Sequence, residues 1–178
     1  MPRWSQDAFV RAYEYAARMH QNQKVPGGDL PYITHVSLVS MEVIASLDEA
    51  CDGDLAVQCA LLHDVLEDTA SRREELVELF GPEVTAGVEA LTKDPRLDKG
   101  QRMEDSLRRI KRQPREIWMV KMADRITNLR RPPDFWSREK RLLYREEAAL
   151  IHAELSPASE ALAARLRSKI VEYGGFIT

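Results

Sequence analysis

Residues 60–69 read Ala-Leu-Leu-His-Asp-Val-Leu-Glu-Asp-Thr, so four ionisable side chains fall within six positions of an otherwise apolar segment. On a helix, His63 and Glu67 stack on nearly one face, and so do Asp64 and Asp68. A carboxylate or imidazole on a buried face is costly unless it is paired or holds a metal. An adjacent His-Asp pair followed one turn later by two carboxylates suits a metal ion and the water it activates. The bland alternative is a solvated acidic helix end, but the run directly follows Ala60-Leu61-Leu62 instead of lying in a polar stretch.

Two further segments carry the same kind of residue. Pro31-Tyr32-Ile33-Thr34-His35 places His35 at the opening of a helix, after a proline-bounded loop. Asp124 follows the apolar Ile117-Trp118-Met119-Val120 and needs a partner, either a metal or an intrahelical pairing with Lys121 or Arg125. Together His35, His63, Asp64 and Asp124 offer two imidazoles and two carboxylates from three helices. Such a mixed set suits Mn²⁺, Fe²⁺ or Zn²⁺ better than Ca²⁺. A bound first-row divalent ion lowers the pKa of its water and polarises a phosphoryl oxygen. Glu67 and Asp68 then remain as unligated carboxylates that orient or deprotonate that water, or hold the substrate.

The elements that must position these groups are helical throughout. A first helix runs from a Ser5 cap to about residue 20, with Phe9, Tyr13, Ala16 and Ala17 as its apolar stripe. Residues 21–31 are a loop, since they hold two prolines and Gly27-Gly28. Helices are expected over about 35–47, 54–67, 71–80 with Ser71 as cap, on to 91 after Gly81-Pro82, and about 101–112. Three more follow: to 129 with Pro114 in the first turn, 137–155, and 157–173. The last, with Leu162, Leu166, Ile170 and Val171, reads as a packing helix. Alternating strand patterns are absent. The expected fold is a compact all-α bundle of eight to ten helices.

The 178 residues fit a single domain over 1–178, with the site inside about 15–145 and packing helices over 137–173. With 26 basic and 29 acidic residues the net charge is −3, which offers no broad attraction for nucleic acid or an anionic membrane. Cys51 and Cys59 have no metal-type spacing and imply no disulfide framework. The start of the chain lacks an apolar signal region and no apolar run approaches about 18 residues, so a cytoplasmic protein is expected. Oligomeric state is not legible. Trp4, Phe135 and Trp136 fit either an interface or a satellite core.

The three segments resemble those of the HD-domain metal-dependent phosphohydrolases. More narrowly, they are similar to the hydrolase domain of RelA/SpoT-type enzymes and to small stand-alone alarmone hydrolases. These carry Pro-Tyr-Ile-x-His, Ala-Leu-Leu-His-Asp-x-x-Glu-Asp-Thr and Val-Lys-x-Ala-Asp-Arg-x-x-Asn-x-Arg, matched here by residues 31–35, 60–69 and 120–130 in the same order. The likeness covers about 15–130 and fades toward 155. It implies one metal ion, usually Mn²⁺, on His35, His63, Asp64 and Asp124, with Glu67 and Asp68 serving the nucleophilic water. It also implies nucleotide contacts from Lys24, Asn128, Lys140 and Tyr144, with Lys121 and Arg125 helping to offset a polyanion. Pairing of Lys121 and Arg125 with neighbouring acids is the alternative for those two. The implied reaction removes the 3′-pyrophosphate of guanosine tetra- or pentaphosphate, giving GDP or GTP and pyrophosphate. At this length no synthetase or regulatory domain is expected.

The chain departs from this pattern at Val36 in place of a proline, at Val25-Pro26 after Lys24, and at the Gly27-Gly28-Asp29-Leu30 loop. It departs again at Thr92-Lys93-Asp94-Pro95, where the family is more acidic, and at Arg131-Pro132-Pro133. Most of these positions lie in loops that would shape a nucleotide pocket. Two other readings therefore stand beside the first: an HD phosphohydrolase for another nucleotide or phosphoester, and a nucleotide-binding regulatory module without catalysis.

Overall fold

The computed structural model describes residues 4–177; residues 1–3, on which the reading of the chain's start partly rests, and residue 178 lie outside that range. Nine α-helices are present among the described residues: α1 (Gln6–Met19), α2 (Ile33–Ile44), α3 (Gly53–Leu62), α4 (Val65–Asp68), α5 (Arg73–Leu91), α6 (Lys99–Ile110), α7 (Arg115–Asn128), α8 (Arg138–Leu155) and α9 (Glu160–Tyr173). Short 3₁₀ turns follow α8 and α9. No strand forms among the described residues, so the all-α expectation holds. None of their helices is long and apolar enough to cross a membrane.

Local chemistry sets most boundaries. Ser5, Asp52, Ser137 and Ser159 cap α1, α3, α8 and α9 by accepting from backbone amides in the first turn. Gly81, at φ +84° before Pro82, kinks α5 where two helices were expected. Ser71 does not cap α5. Its hydroxyl pairs with Thr69 and receives the Tyr15 hydroxyl, and Arg72 takes the cap position without a side-chain bond.

α3 is apolar almost all round, with Leu55 to Leu62 buried without interruption, so it lies inside the bundle. α1, α2, α5 and α7 pack around it, and α9 closes over α7 and α8. Gly87 permits the close approach of α5, since a Cβ there would sit 2.6 Å from Ile117 Cδ1 and 2.8 Å from Cys59 Sγ. Val171 points outward, 68% exposed, while Leu162 and Leu166 of the same helix are buried. Trp4 packs on Phe9 and Trp136 on Tyr144, as a satellite core, whereas Phe135 stays 77% exposed.

The break between α3 and α4 matters most for chemistry. A single helix was expected over 54–67, but it ends at Leu62, and Asp64 sits at φ −105°, ψ −2° before α4 begins. Consecutive residues on an unbroken helix point about 100° apart. The break lets His63 and Asp64 aim at one point. Upstream, the 21–31 loop folds back on itself, with Val25 N donating to Leu30 O and Tyr32 N to Gln23 O, both at 2.9 Å. Gly27 turns it at φ +78° against Pro133. That hairpin delivers Tyr32 and His35 into the first turn of α2.

Candidate active site

His35 on α2, His63 and Asp64 at the α3–α4 break, and Asp124 on α7 converge. The two Nε2 atoms lie 3.3 Å apart. Asp64 Oδ2 is 2.8 Å from His63 Nε2 and 3.7 Å from His35 Nε2, and Asp124 Oδ1 is 3.8 and 3.5 Å from the same two atoms. Donors at about 2.1 Å around one octahedral ion would be about 3 Å from their neighbours. His35, His63 and Asp64 form a group spaced to hold such an ion, and Asp124 stands beyond it, beside the two imidazoles.

Surrounding bonds orient these donors. His63 Nδ1 donates to Ala60 O at 2.8 Å, which leaves Nε2 as the inward-facing atom. Tyr32 donates its hydroxyl to Asp64 Oδ2 at 2.6 Å. Asp124 accepts from Lys121 at 3.1 Å and from Asn128 at 2.6 Å. The ion pair that competed with a metal role for Asp124 is thus present together with the convergence on the imidazoles.

The electrostatics follow from burial and crowding. Burial works against a charged His63, but Asp64 beside it and Asp124 outweigh this and raise its pKa to about 9. Asp64 is lowered despite burial, chiefly by His63. Asp124 is held well below the usual carboxylate range despite burial, with the Lys121 ammonium foremost. Two acids and an imidazolium here place a proton where a cation fits. The Asp68 carboxyl is raised by burial and by the Asp64 charge. Burial, then Asp64, raise the Tyr32 phenol far above its ordinary value, so it remains a donor.

Glu67 and Asp68 sit with His63, Asp64 and Asp124 around a pocket of about 190 Å³, also lined by Lys93, Lys121, Arg125 and Glu147. Beside it is a cleft of about 330 Å³, lined by His35, Val25, Pro26, Thr34, Arg131, Pro132, Pro133, Trp136 and Tyr173 among others. Asn128 and Tyr144 line both. A groove of about 1010 Å³ between α6 and α8 contains none of the four donors.

The remaining sequence candidates are placed unevenly. Arg125 lines the small pocket, 4% exposed, donating to Glu147 at 3.2 Å with its guanidinium 4.1 Å from the Tyr144 ring centre. Burial pushes the Tyr144 phenol up to about 12. Lys24 lines neither cavity and donates to Asp29 at 3.1 Å. Lys140 also lies outside both, with Nζ 4.0 Å above Trp136. Three pocket residues escaped the sequence reading as functional groups. Tyr32 stands three positions before His35, a helical spacing that could have marked it. Glu147 stands three after Tyr144. Lys93 appeared only as part of a departure from the family pattern.

The sequence model of the HD domain family matches residues 12–161. The chain is 38% identical over 152 residues to the GTP pyrophosphokinase rsh of Brucella melitensis, covering 82% of this chain and 20% of that protein. It thus spans about a fifth of that relative's length. It is 31% identical over 172 residues to the guanosine-3′,5′-bis(diphosphate) 3′-pyrophosphohydrolase MESH1 of Danio rerio, covering 93% of this chain and 94% of that one. Among solved structures it is similar to a metazoan ortholog of SpoT described as hydrolysing ppGpp and acting in starvation responses. The TM-score is 0.82 at 28% identity, over 98% of this chain and 99% of that one.

Proposed function

The chain belongs to the HD-domain family, and on that premise we propose that it is a metal-dependent hydrolase of guanosine tetra- and pentaphosphate. Water adds to the phosphorus attached at the ribose 3′ oxygen, that P–O bond breaks, and the products are pyrophosphate and GDP or GTP. The observation that carries this reading is the approach of His35, His63, Asp64 and Asp124 to one another, the last three lining a pocket with two further acids. The near full-length similarity to a 3′-pyrophosphohydrolase supports the substrate.

In this reading His35, His63, Asp64 and Asp124 would hold Mn²⁺, which would supply Lewis acidity, lower the pKa of water and offset phosphate charge. Asp68, the carboxyl whose pKa burial raises, accepts the proton of the attacking water. Glu67 orients that water, because both its oxygens are already fixed by Lys93. Lys121 and Arg125 contribute positive charge from the pocket wall. The nucleoside occupies the neighbouring cleft, with Asn128 and Tyr144 at the junction, Trp136 on the lining, and Lys24 and Lys140 at the outer edge. The substrate is a small molecule; neither nucleic acid nor membrane enters this reading.

A second reading keeps the chemistry and changes the nucleotide. The observation favouring it is that Val25, Pro26, Arg131, Pro132 and Pro133, all departures from the family pattern, line the cleft. One experiment separates the two: pyrophosphate release from guanosine tetraphosphate by purified protein with Mn²⁺, an EDTA control, and Asp64→Ala. Metal-dependent turnover that disappears in the variant supports the first reading. Metal binding without turnover of this substrate removes it and leaves the second. A protein that binds nucleotide but hydrolyses no phosphoester would be the regulatory module.

A further inference from the structure

Three cations line the pocket that contains the metal-ligand candidates, and they are not equivalent. Lys121 is 6% exposed at its side chain and donates to Asp124. Arg125 is 5% exposed, donates to Glu147 and lies over Tyr144. Both are nearly buried, although the Arg125 Nε has no partner. Lys93 is different. Its side chain is 38% exposed, and its Nζ donates to Glu67 Oε1 at 3.0 Å. An ammonium carries three protons in a rotatable head, so acceptance by one carboxylate oxygen leaves donors for a ligand.

The backbone around Lys93 is fixed independently of its side chain. Lys93 N donates to Glu67 Oε2 at 2.9 Å, so one residue holds both oxygens of Glu67. The strap itself is anchored from α6. Arg109 donates to the carbonyl oxygens of Glu89 at 2.7 Å, Ala90 at 3.0 Å and Thr92 at 2.8 Å, which meets the unpaired carbonyls at the end of α5. The Thr92 hydroxyl donates to Val88 O at 2.9 Å. Lys93 therefore extends a partly exposed ammonium from a backbone held at the pocket rim by Glu67. Burial works against that charge, but Glu67 and, more weakly, Asp124 and Asp64 outweigh it, so the ammonium persists and faces the same acids.

We propose that Lys93 is a diphosphate-binding residue of this site, its Nζ bridging Glu67 and the pyrophosphate group while its backbone N–H keeps Glu67 aligned. The identity of the nucleotide rests on the proposed hydrolase reading, but diphosphate binding by Lys93 does not. The distinction matters chemically. A cation touching the diphosphate offsets the charge on the phosphoryl oxygens of the group under attack, whereas one that only holds Glu67 acts on the water.

The test uses the full chain loaded with Mn²⁺, inorganic pyrophosphate as probe, and the variants Lys93→Met and Lys93→Arg. Loss of a charge-assisted bond should weaken pyrophosphate binding in calorimetry by about 10- to 100-fold in Lys93→Met, with arginine restoring it to within about threefold. Mn²⁺ affinity should not fall in Lys93→Met, because Lys93 donates to none of the four metal-ligand candidates and its charge, facing Asp64 and Asp124, opposes a cation there. Acetylation footprinting of the wild-type protein needs no variant: pyrophosphate should protect Lys93. Unchanged pyrophosphate affinity in Lys93→Met with a fall in kcat alone would assign Lys93 only to holding Glu67 and overturn the proposal. So would absence of protection, or a wild-type protein that binds no pyrophosphate. Pyrophosphate binding that depends on Lys93, in a protein that leaves guanosine tetraphosphate intact, would overturn the substrate and keep the residue.

Discussion

Replacing Tyr32 by Phe deletes one oxygen from the site and little else. The ring is 8% exposed and packs against His20 and His35 at centroid distances of 4.8 and 5.2 Å, contacts that phenylalanine keeps. The hydroxyl donates to Asp64 Oδ2 at 2.6 Å, a short bond to a carboxylate that stays ionised. A bond of that kind contributes about 1.5–3 kcal/mol, and at about 1.4 kcal/mol per decade the expected loss of metal affinity is roughly 10- to 100-fold. Substitutions behind metal ligands in other proteins weaken metal binding or activity by about the same factor. Without metal the effect on stability should be smaller, about 1 kcal/mol, because Asp64 Oδ2 retains His63 Nε2 at 2.8 Å. The assay is competition for Mn²⁺ against a chromophoric chelator, with turnover measured at limiting and saturating Mn²⁺. Saturation should restore most of the activity. A Mn²⁺ affinity within about threefold of wild type would refute the reasoning that Tyr32 fixes the carboxylate for the ion.

Other consequences are equally direct. His63 titrates at about 9 in the metal-free site, above its ordinary 6.5. Its contribution to the metal-free fold is therefore complete below about 6.5 and lost as pH rises through 9. Metal must displace that proton, so Mn²⁺ affinity should rise with pH up to about 9, by up to tenfold per unit where this proton dominates. Melting temperatures in EDTA and in Mn²⁺ should diverge between pH 6.5 and 9, and parallel curves would contradict the assignment. Gly87→Ala places a methyl group against Ile117 and Cys59 and should destabilise the protein by about 1–3 kcal/mol in urea unfolding. Arg109→Met removes three bonds to the end of α5 and should lower kcat while leaving Mn²⁺ affinity unchanged, since it loosens the strap that aligns Glu67.

The helices and the four converging donors were legible for the same physical reason: polar residues set in apolar segments are conspicuous. Capping serines and Gly-Pro breaks are conspicuous too, and they marked most boundaries. The α3–α4 break was not, because Val65 and Leu66 continue an apolar helical pattern straight across it. Two bonds mark the helix end, one local and one tertiary. His63 Nδ1 donates to Ala60 O three residues back, and Asp64 accepts from the Tyr32 hydroxyl across the fold. Local propensity carries no record of the second. Lys24 shows another limit, since the sequence carried no sign that this lysine pairs with Asp29 at the surface.

That break also explains how two neighbouring residues serve one point. On an uninterrupted helix, His63 and Asp64 would diverge by about 100° and only one could face His35. With the chain turned at Asp64, the pair presents Nε2 and Oδ2 at 2.8 Å, and α4 restarts with Glu67 and Asp68 facing the same pocket. Four acidic or basic groups from six residues thereby occupy one cavity without stacking their charges along a single face. The cost of burying them is offset from outside the segment, by Tyr32 on Asp64 and by Lys93 on Glu67. Each of those partners reaches the pocket from a different part of the chain. The site is therefore as much a product of how α2, α5 and α7 pack around α3 as of the sequence that advertises it.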